Sequence, residues 1–153
     1  MPEVIGNTLH KLYVLDTYGQ ETLDHILNAM PEETRTTLEK PSLSGSWYPV
    51  EVLQDFLKVF DTILGRDRLK QLAVHTIDNQ IRGLYGFILS FLSPVVEGAQ
   101  RMWSKFYSEG SVILNDFDGL HVSFDVVDFR FSDEQRFVFQ HYIQALVEKL
   151  KNK

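Results

Sequence analysis

The five histidines are the side chains best suited to metal binding or to general acid–base chemistry. They are His10, His25, His75, His121 and His141. No two of them show the His-Glu-x-x-His pattern or another spacing that would place two imidazoles as ligands on one helix face. We therefore expect surface or capping roles for each histidine, and we expect neither a metal site nor a cofactor.

Other catalytic groups are dispersed along the chain. There is no cysteine, which excludes thiol nucleophiles and thiolate metal sites. The run Ser44-Gly45-Ser46 lacks the strand-turn-helix context of a nucleophile elbow and the lysine of a phosphate loop. Asp116 and His121 are expected to form a cross-strand ion pair rather than a catalytic dyad. Asp125 and Asp128 are expected on an exposed strand edge, where charge deters unwanted pairing. The sequence predicts no catalytic residues and no enzyme.

A group of aromatic residues and one arginine is a better candidate for binding. The predicted ligand- or partner-binding residues are Trp47, Tyr48, Arg82, Tyr85, Trp103 and Tyr107. Arg82 precedes Tyr85 by three positions, so the two share a helix face, and a buried Trp or Tyr needs a polar partner. Arg82 is the predicted contact to an anion or a partner. The alternative is that the aromatic residues only pack in the core, as aromatic stripes at helical spacing usually do.

Length, composition and charge indicate one ordinary globular domain over residues 1–153. The chain is 44% hydrophobic and carries a net charge of −6, and its 15 Lys and Arg form no basic run, which argues against nucleic-acid binding. The N-terminus shows no signal-peptide pattern. The longest weakly polar run, 83–96, has about fourteen residues, whereas a membrane span needs about twenty. We expect a cytoplasmic protein without a transmembrane segment.

Hydrophobic periodicity predicts an α+β fold that is mainly helical, with about seven to eight helices. Apolar residues recur at helical spacing over 4–19, 23–30, 31–39, 49–65, 66–81, 81–107 and 132–150. The first half of 81–107 is apolar on nearly every side, so we expect it at the centre of the core. A further helix is predicted to begin at Ser93-Pro94, and a capping box of Ser132 and Gln135 is predicted to open the long C-terminal helix.

One antiparallel β-hairpin is predicted over about 111–129. Asp118-Gly119 is a strong signal for a two-residue turn, which would place Ile113 opposite Phe124 and Asp116 opposite His121. One face of this hairpin is expected to pack on the core, and Val126-Val127 suggests a bulge or a strand end. A lone hairpin is marginal in water, so we expect a helix, more strands or another chain to support it.

Several segments resemble an uncharacterised, paralogously expanded family of myxobacterial-type proteins over nearly the whole chain. The resemblance rests on Trp47-Tyr48-Pro49, Arg82-Gly83-Leu84-Tyr85, Ser93-Pro94, and Trp103 with Phe106, Tyr107 and Gly110. That family is similar to vinyl-reductase-like sensor domains, haem nitric-oxide-binding domains and subunits of Golgi-tethering complexes. These relatives share an α+β fold that binds a ligand or a partner, so the resemblance implies a regulatory module.

The chain departs from these relatives in two respects. In the relatives more strands, often with cysteines, follow the long helix, whereas this sequence ends at Lys153. The strands were lost, or the sequence is a fragment, or a partner completes the sheet. The Tyr-x-Ser-x-Arg motif of haem nitric-oxide sensors and the lipidated cysteine of the tethering subunits are missing, so neither haem nor a covalent acyl group is expected.

These observations lead to two hypotheses of different kinds. The first is a non-enzymatic, cytoplasmic regulatory or signalling module that binds a partner protein and forms a homodimer through the hairpin edge or the aromatic helix surface. The second is a small-molecule sensor that holds an apolar ligand in a helix-lined pocket near Trp47, Arg82, Tyr85 and Trp103. The sequence identifies neither the ligand, the partner nor the pathway.

Overall fold

The protein is mainly helical, with two small antiparallel sheets. The structure, a computed structural model, describes residues 3–5, 10–40, 46–76, 103–104, 107–117 and 122–151. The helices are α1 (Lys11–Tyr18), α2 (Gln20–Ala29), α3 (Glu32–Glu39), α4 (Val50–Leu64), α5 (66–76) and α6 (Asp133–Lys151). The strands are β1 (Glu3–Ile5), β2 (Trp47–Pro49), β3 (Ser111–Phe117) and β4 (Val122–Val127). Among these residues no helix combines the length and the apolar character that crossing a bilayer requires.

The number of helices differs from the prediction of seven to eight. The described residues contain six helices. The predicted helical segments between 77 and 102 lie outside the described residues. The same is true of most of 81–107, the stretch expected at the centre of the core, from which only Trp103, Ser104 and Tyr107 are described.

The main core is built around α4, whose wide apolar stripe was predicted from its spacing. Phe56 and Phe60 of α4 are fully buried, and Gly65 ends the helix with a φ of 93°. A left-handed φ of this kind favours glycine. Helices α1, α2, α3 and α5 add fully buried aliphatic side chains to this core, which are Val14, Leu23, Ile26, Leu38, Leu69 and Leu72, and α6 adds the partly buried Phe137 and Val138. The predicted inward positions of α2, α3 and α5 are therefore confirmed.

The N-terminal segment was predicted wrongly. A helix was expected from Val4 onward, but residues Glu3–Ile5 form β1, which pairs antiparallel with β2, and Val4 lies opposite Tyr48. The helix starts only at Lys11. Gly6 and Asn7 follow the strand in the sequence, and both residue types are poor helix formers, so strand pairing overrides the weak helical spacing.

The entry into α4 also differs from the prediction. Trp47-Tyr48-Pro49 was expected to open the helix, with Pro49 at its first position. Instead these residues form β2, and the helix begins at Val50 with Pro49 as its N-cap. Proline lacks a backbone N–H and favours an extended conformation before it, so it ends a short strand as readily as it begins a helix.

The predicted hairpin exists, but its register is different. Val112 pairs with Val126 and Ile113 with Asp125, and an extra residue in β3 between Leu114 and Asp116 shifts the register. Phe117 pairs with Val122, so four residues connect the strands instead of two. Connections of four residues are also common in hairpins.

The register corrects one expectation about the hairpin. Asp116 lies opposite Ser123, so the expected pairing with His121 is wrong. Of the two alternatives expected at Val126-Val127, the strand end is confirmed, because β4 ends at Val127, whereas the bulge lies in β3. Burial of Val112 favours the observed register, because a slip by one residue would place Asp125 instead of Val126 beside this buried side chain.

Candidate functional site: an aromatic cluster with a buried amide

Trp103 is the centre of a second, smaller cluster that consists mainly of aromatic rings. Its ring stacks on Tyr107 with centroids 4.2 Å apart and an interplanar angle of 17°. Three phenylalanines contact the same indole edge-on, at centroid distances of 5.1, 5.9 and 5.8 Å: Phe129, Phe131 and Phe139. Trp103 is only 3% exposed, and its Nε1 donates a hydrogen bond of 2.8 Å to the Glu109 carbonyl. The indole is thus buried with its one polar atom satisfied.

Local backbone geometry brings this cluster together. The Tyr107 N–H donates to the Trp103 carbonyl over 2.9 Å, and this bond between residues four positions apart in the sequence brings their rings together. Gly110 then follows with a φ of 88°, and a Cβ at this position would lie 2.9 Å from the Phe129 Cβ. Glycine is therefore required both by the backbone conformation and by the close approach of the chain that follows β4.

A buried glutamine on α6 lies beside the aromatic cluster. Gln135 is 2% exposed, and its Oε1 accepts a hydrogen bond of 2.9 Å from the Gln54 Nε2. The same Gln54 nitrogen donates to the Arg130 carbonyl over 3.0 Å. Among the described residues, the Gln135 Nε2 is a buried side-chain nitrogen without a hydrogen-bond acceptor. Such groups are rare in native proteins because they give up hydration without replacement.

The Tyr107 hydroxyl lies close to this amide, and Tyr142 lies near Tyr107. Burial raises the pKa of Tyr107 to about 12, and the facing Gln135 amide opposes part of this increase without the distance and angle of a hydrogen bond. Burial raises the pKa of Tyr142 as well, and the nearby Tyr107 adds to this effect. Both phenols are therefore protonated at neutral pH. These described side chains, the Gln135 amide and the two phenols, are therefore uncharged and can donate and accept hydrogen bonds.

A second group of ionisable side chains lies where α1 meets α5. His10 is the N-cap residue of α1, and burial, followed by the proximity of His75, lowers its pKa to about 4. The rings of Tyr13 and His75 are 4.6 Å apart. Burial raises the pKa of Tyr13 to about 12, and a side-chain hydrogen bond with Tyr18 contributes to the increase. His10 is therefore neutral at pH 7.

The described carboxylates and histidines do not converge on a common point. Within the ranges that the structure describes, no three His, Asp or Glu side chains are arranged to hold a metal ion. His141 lies on α6 beside Phe137, with ring centroids 4.4 Å apart, and its pKa is lowered by burial and by Lys70. Asp125 and Asp128 are both exposed; Asp125 lies on β4 as expected, whereas Asp128 follows the end of this strand.

The structure brings together two of the six predicted binding residues. Trp103 and Tyr107 stack directly on each other in the aromatic cluster. Trp47 and Tyr48 lie on β2, in the other strand pair, where Trp47 is 42% exposed and Tyr48 packs against the main core. Arg82 and Tyr85 lie outside the described residues. The binding role of all six residues stays a prediction.

Several residues of this region were not singled out in the sequence. These are Gln54, Phe129, Phe131, Phe139 and, in a role beyond capping, Gln135. The backbone N–H of Gln135 donates to the Ser132 Oγ over 3.1 Å, which confirms one of the two hydrogen bonds of the predicted capping box. Gln135, Phe139 and Tyr142 recur at positions i, i+4 and i+7, a spacing that already indicates a shared inward face.

Large hydrophobic side chains are also exposed at the surface. Ile113 on β3 is 47% exposed and Leu12 on α1 is 71% exposed, while Trp47 adds a third. Two of the three therefore lie on short two-stranded sheets.

Comparisons with known proteins do not relate this chain to a family. No family model matches it, and neither the curated proteins nor the solved structures gave a match. The resemblance noted above thus stays a prediction.

Proposed function

We propose that this protein is a non-enzymatic regulatory module of the cytoplasm that binds a partner protein, and that this partner is a second copy of the chain. The observation that carries the proposal is the β3–β4 hairpin, which has two strands in the described part of the chain and an exposed Ile113. A two-stranded sheet gains stability when another strand pairs with its edge.

The side chains of the hairpin favour the β3 edge for this contact. β4 presents Ser123 and Asp125 to solvent, and a charged residue on an edge strand discourages pairing. Among the hairpin positions whose side chains are described, β3 presents Ile113, which is opposite Asp125 in the register; Asp116 lies towards the other end of β3, so the contact is centred on Ile113. In a two-fold symmetric dimer, each β3 would pair with its copy, and the two Ile113 side chains would become buried close to the axis.

The inferred regulatory role is supported by two further considerations. The resemblance to sensor and tethering families implies a module whose work is binding. The ionisable groups with shifted pKa values lie at the α1–α5 contact, at the aromatic cluster and, in the case of His141, near Lys70, and burial is the main cause in each case. Active sites more often combine burial with a specific charged partner.

Light scattering of matched variants tests the proposed dimer. Ile113→Lys places a charge on the β3 edge, so we expect it to convert a dimer into a monomer. Leu12→Lys is the control, because Leu12 is more exposed but lies on α1. A monomeric wild-type protein, or equal effects of the two substitutions, would contradict the assignment of β3 as the interface.

A second function, that of a small-molecule sensor, is favoured by the aromatic cluster. Trp103, Tyr107 and three phenylalanines pack together, and the buried Gln135 amide lies beside Tyr107. Ligand sites commonly combine apolar aromatic walls with a few polar groups. We expect small apolar ligands to raise the melting temperature if this function is correct.

A further inference from the structure

We infer that α5 is held to α1 and α6 by contacts that open in acid, so that this helix separates from both neighbours before the rest of the protein unfolds. One set of side chains on α5 contacts α1, and another set contacts α6. Neither proposed function involves α5, so this opening is an additional, pH-dependent property of the fold.

The contact between α5 and α1 combines aromatic rings with positive charge. The ring of His75 on α5 lies 4.6 Å from that of Tyr13, measured between centroids, and the Arg68 guanidinium lies 5.3 Å from the centre of the Tyr18 ring. His10, the N-cap residue of α1, precedes Tyr13 by three positions. Burial lowers the pKa of His10, and the charge of nearby His75 lowers it further. When both imidazoles are protonated, they repel each other across this contact.

The contact between α5 and α6 has the same components. The Arg66 guanidinium lies 4.9 Å from the centre of the Phe137 ring, and the His141 ring lies 4.4 Å from the same ring. Burial and then the charge of Lys70 lower the pKa of His141. The Asp61 carboxylate already pairs with Arg66 at 3.1 Å. A proton taken up by His141 therefore adds positive charge beside Lys70.

The charged groups of α5 are mainly positive. The helix carries the cations Arg66, Arg68 and Lys70 and one carboxylate, Asp67, which is exposed. On the α1 side, burial raises the pKa of Tyr13 to about 12 although Arg68 is near, so this phenol brings no negative charge. Protonation of the facing histidines thus adds repulsion to a helix that is already positively charged.

The positions of the histidines explain why α5 should open first. Three of the four histidines in the described ranges, His10, His75 and His141, lie at the contacts of α5, so proton uptake between pH 7 and 5 acts there. The fourth, His25, is exposed on α2, and α3 and α4 contain no histidine. Acid therefore weakens the two sides of α5 and leaves the contacts among α2, α3 and α4 unchanged.

The pKa of His10 sets the expected size of the effect. It is lowered from 6.5 to about 4 in the folded protein, and opening of the α1–α5 contact would restore the ordinary value. A histidine of this kind stabilises the closed form above about pH 6.5, and this stabilisation is lost as the pH falls towards 4. From His10 alone, the equilibrium constant for opening should rise about twentyfold between pH 7 and 5.

Hydrogen exchange of the full-length wild-type protein, followed by NMR at pH 7 and pH 5 and corrected for the chemical exchange rate, tests the inference. We expect the amides of α5 to be less protected than those of α4 at both pH values, and to lose about twentyfold protection at pH 5. A low concentration of urea should accelerate exchange in α4 more than in α5, because local opening exposes less surface than unfolding does. Equal protection and an equal urea response of the two helices would overturn the inference, as would protection of α5 that does not change with pH.

Two lysine variants test the origin of the effect. Lys70→Gln removes the cation beside His141, so it should lose less protection in α5 between pH 7 and 5 than wild type does. Lys58→Gln is the matched control, because Lys58 is exposed on α4, and it should behave like wild type. The wild-type measurement does not depend on the folding of either variant. Equal losses in wild type and both variants would overturn the inference that repulsion opens the α6 contact.

Discussion

Acid should destabilise this protein in part through His10, a half-buried histidine. The pKa of His10 is lowered from 6.5 to about 4, first by burial and then by the charge of His75. The unfolded chain binds a proton at this histidine near pH 6.5, whereas the folded protein does so only near pH 4. Stability is therefore fully present above about pH 6.5 and is lost progressively as the pH falls towards 4.

The loss of stability in acid follows from the difference between the pKa of His10 in the unfolded chain and in the folded protein. One pKa unit corresponds to about 1.4 kcal/mol, so the complete loss below pH 4 is about 3 kcal/mol, and about 2 kcal/mol of it is already lost at pH 5. The range between pH 7 and 5 is the most informative, because carboxylates with ordinary pKa values titrate mainly below it.

The assay is urea unfolding of wild type and of His10→Asn at pH 7, 6 and 5. Asparagine does not titrate, tolerates the left-handed backbone of this position (φ 62°) and is a favoured N-cap residue. We expect the variant to lose about 2 kcal/mol less than wild type between pH 7 and 5. His25→Asn, at an exposed position on α2, should keep the wild-type pH dependence. Parallel stability curves for wild type and His10→Asn would refute the assignment of this pH dependence to His10.

Three substitutions test the packing by urea unfolding. Gly110→Ala should destabilise by about 1–3 kcal/mol, because its Cβ would lie 2.9 Å from the Phe129 Cβ and its φ is 88°; an unchanged midpoint would contradict this close contact. Phe60→Ala should cost about 3–5 kcal/mol, since the ring is fully buried, and a loss below about 1 kcal/mol would argue against its central position. Gln54→Leu should cost about 1–3 kcal/mol by leaving the buried Gln135 oxygen without its donor; a stabilised variant would contradict this hydrogen bond.

Local and periodic features of the fold were predictable from the sequence. The stripe of α4 and its end at Gly65 follow from helical spacing and from the backbone freedom of glycine. The hairpin was predicted from its turn residues, and its existence is confirmed. These features depend on interactions among residues that are close in the sequence.

Features set by contacts between distant segments were not predictable in the same way. β1 forms because Val4 pairs with Tyr48, more than forty positions away in the sequence. The hairpin register depends on burial of Val112 beside Trp103. The environment of Gln135 requires Gln54, from another helix. A spacing pattern within one segment contains no information about such partners, so it indicated a capping role for Gln135 but not its buried amide network.

The central claim is that this chain associates with a copy of itself through the β3 edge. Sedimentation equilibrium of the unmodified protein, measured over a range of concentrations, tests it most directly. The proposed function predicts a mass that approaches twice the 17.7 kDa of one chain as the concentration rises. A mass that stays at 17.7 kDa at every concentration would contradict self-association.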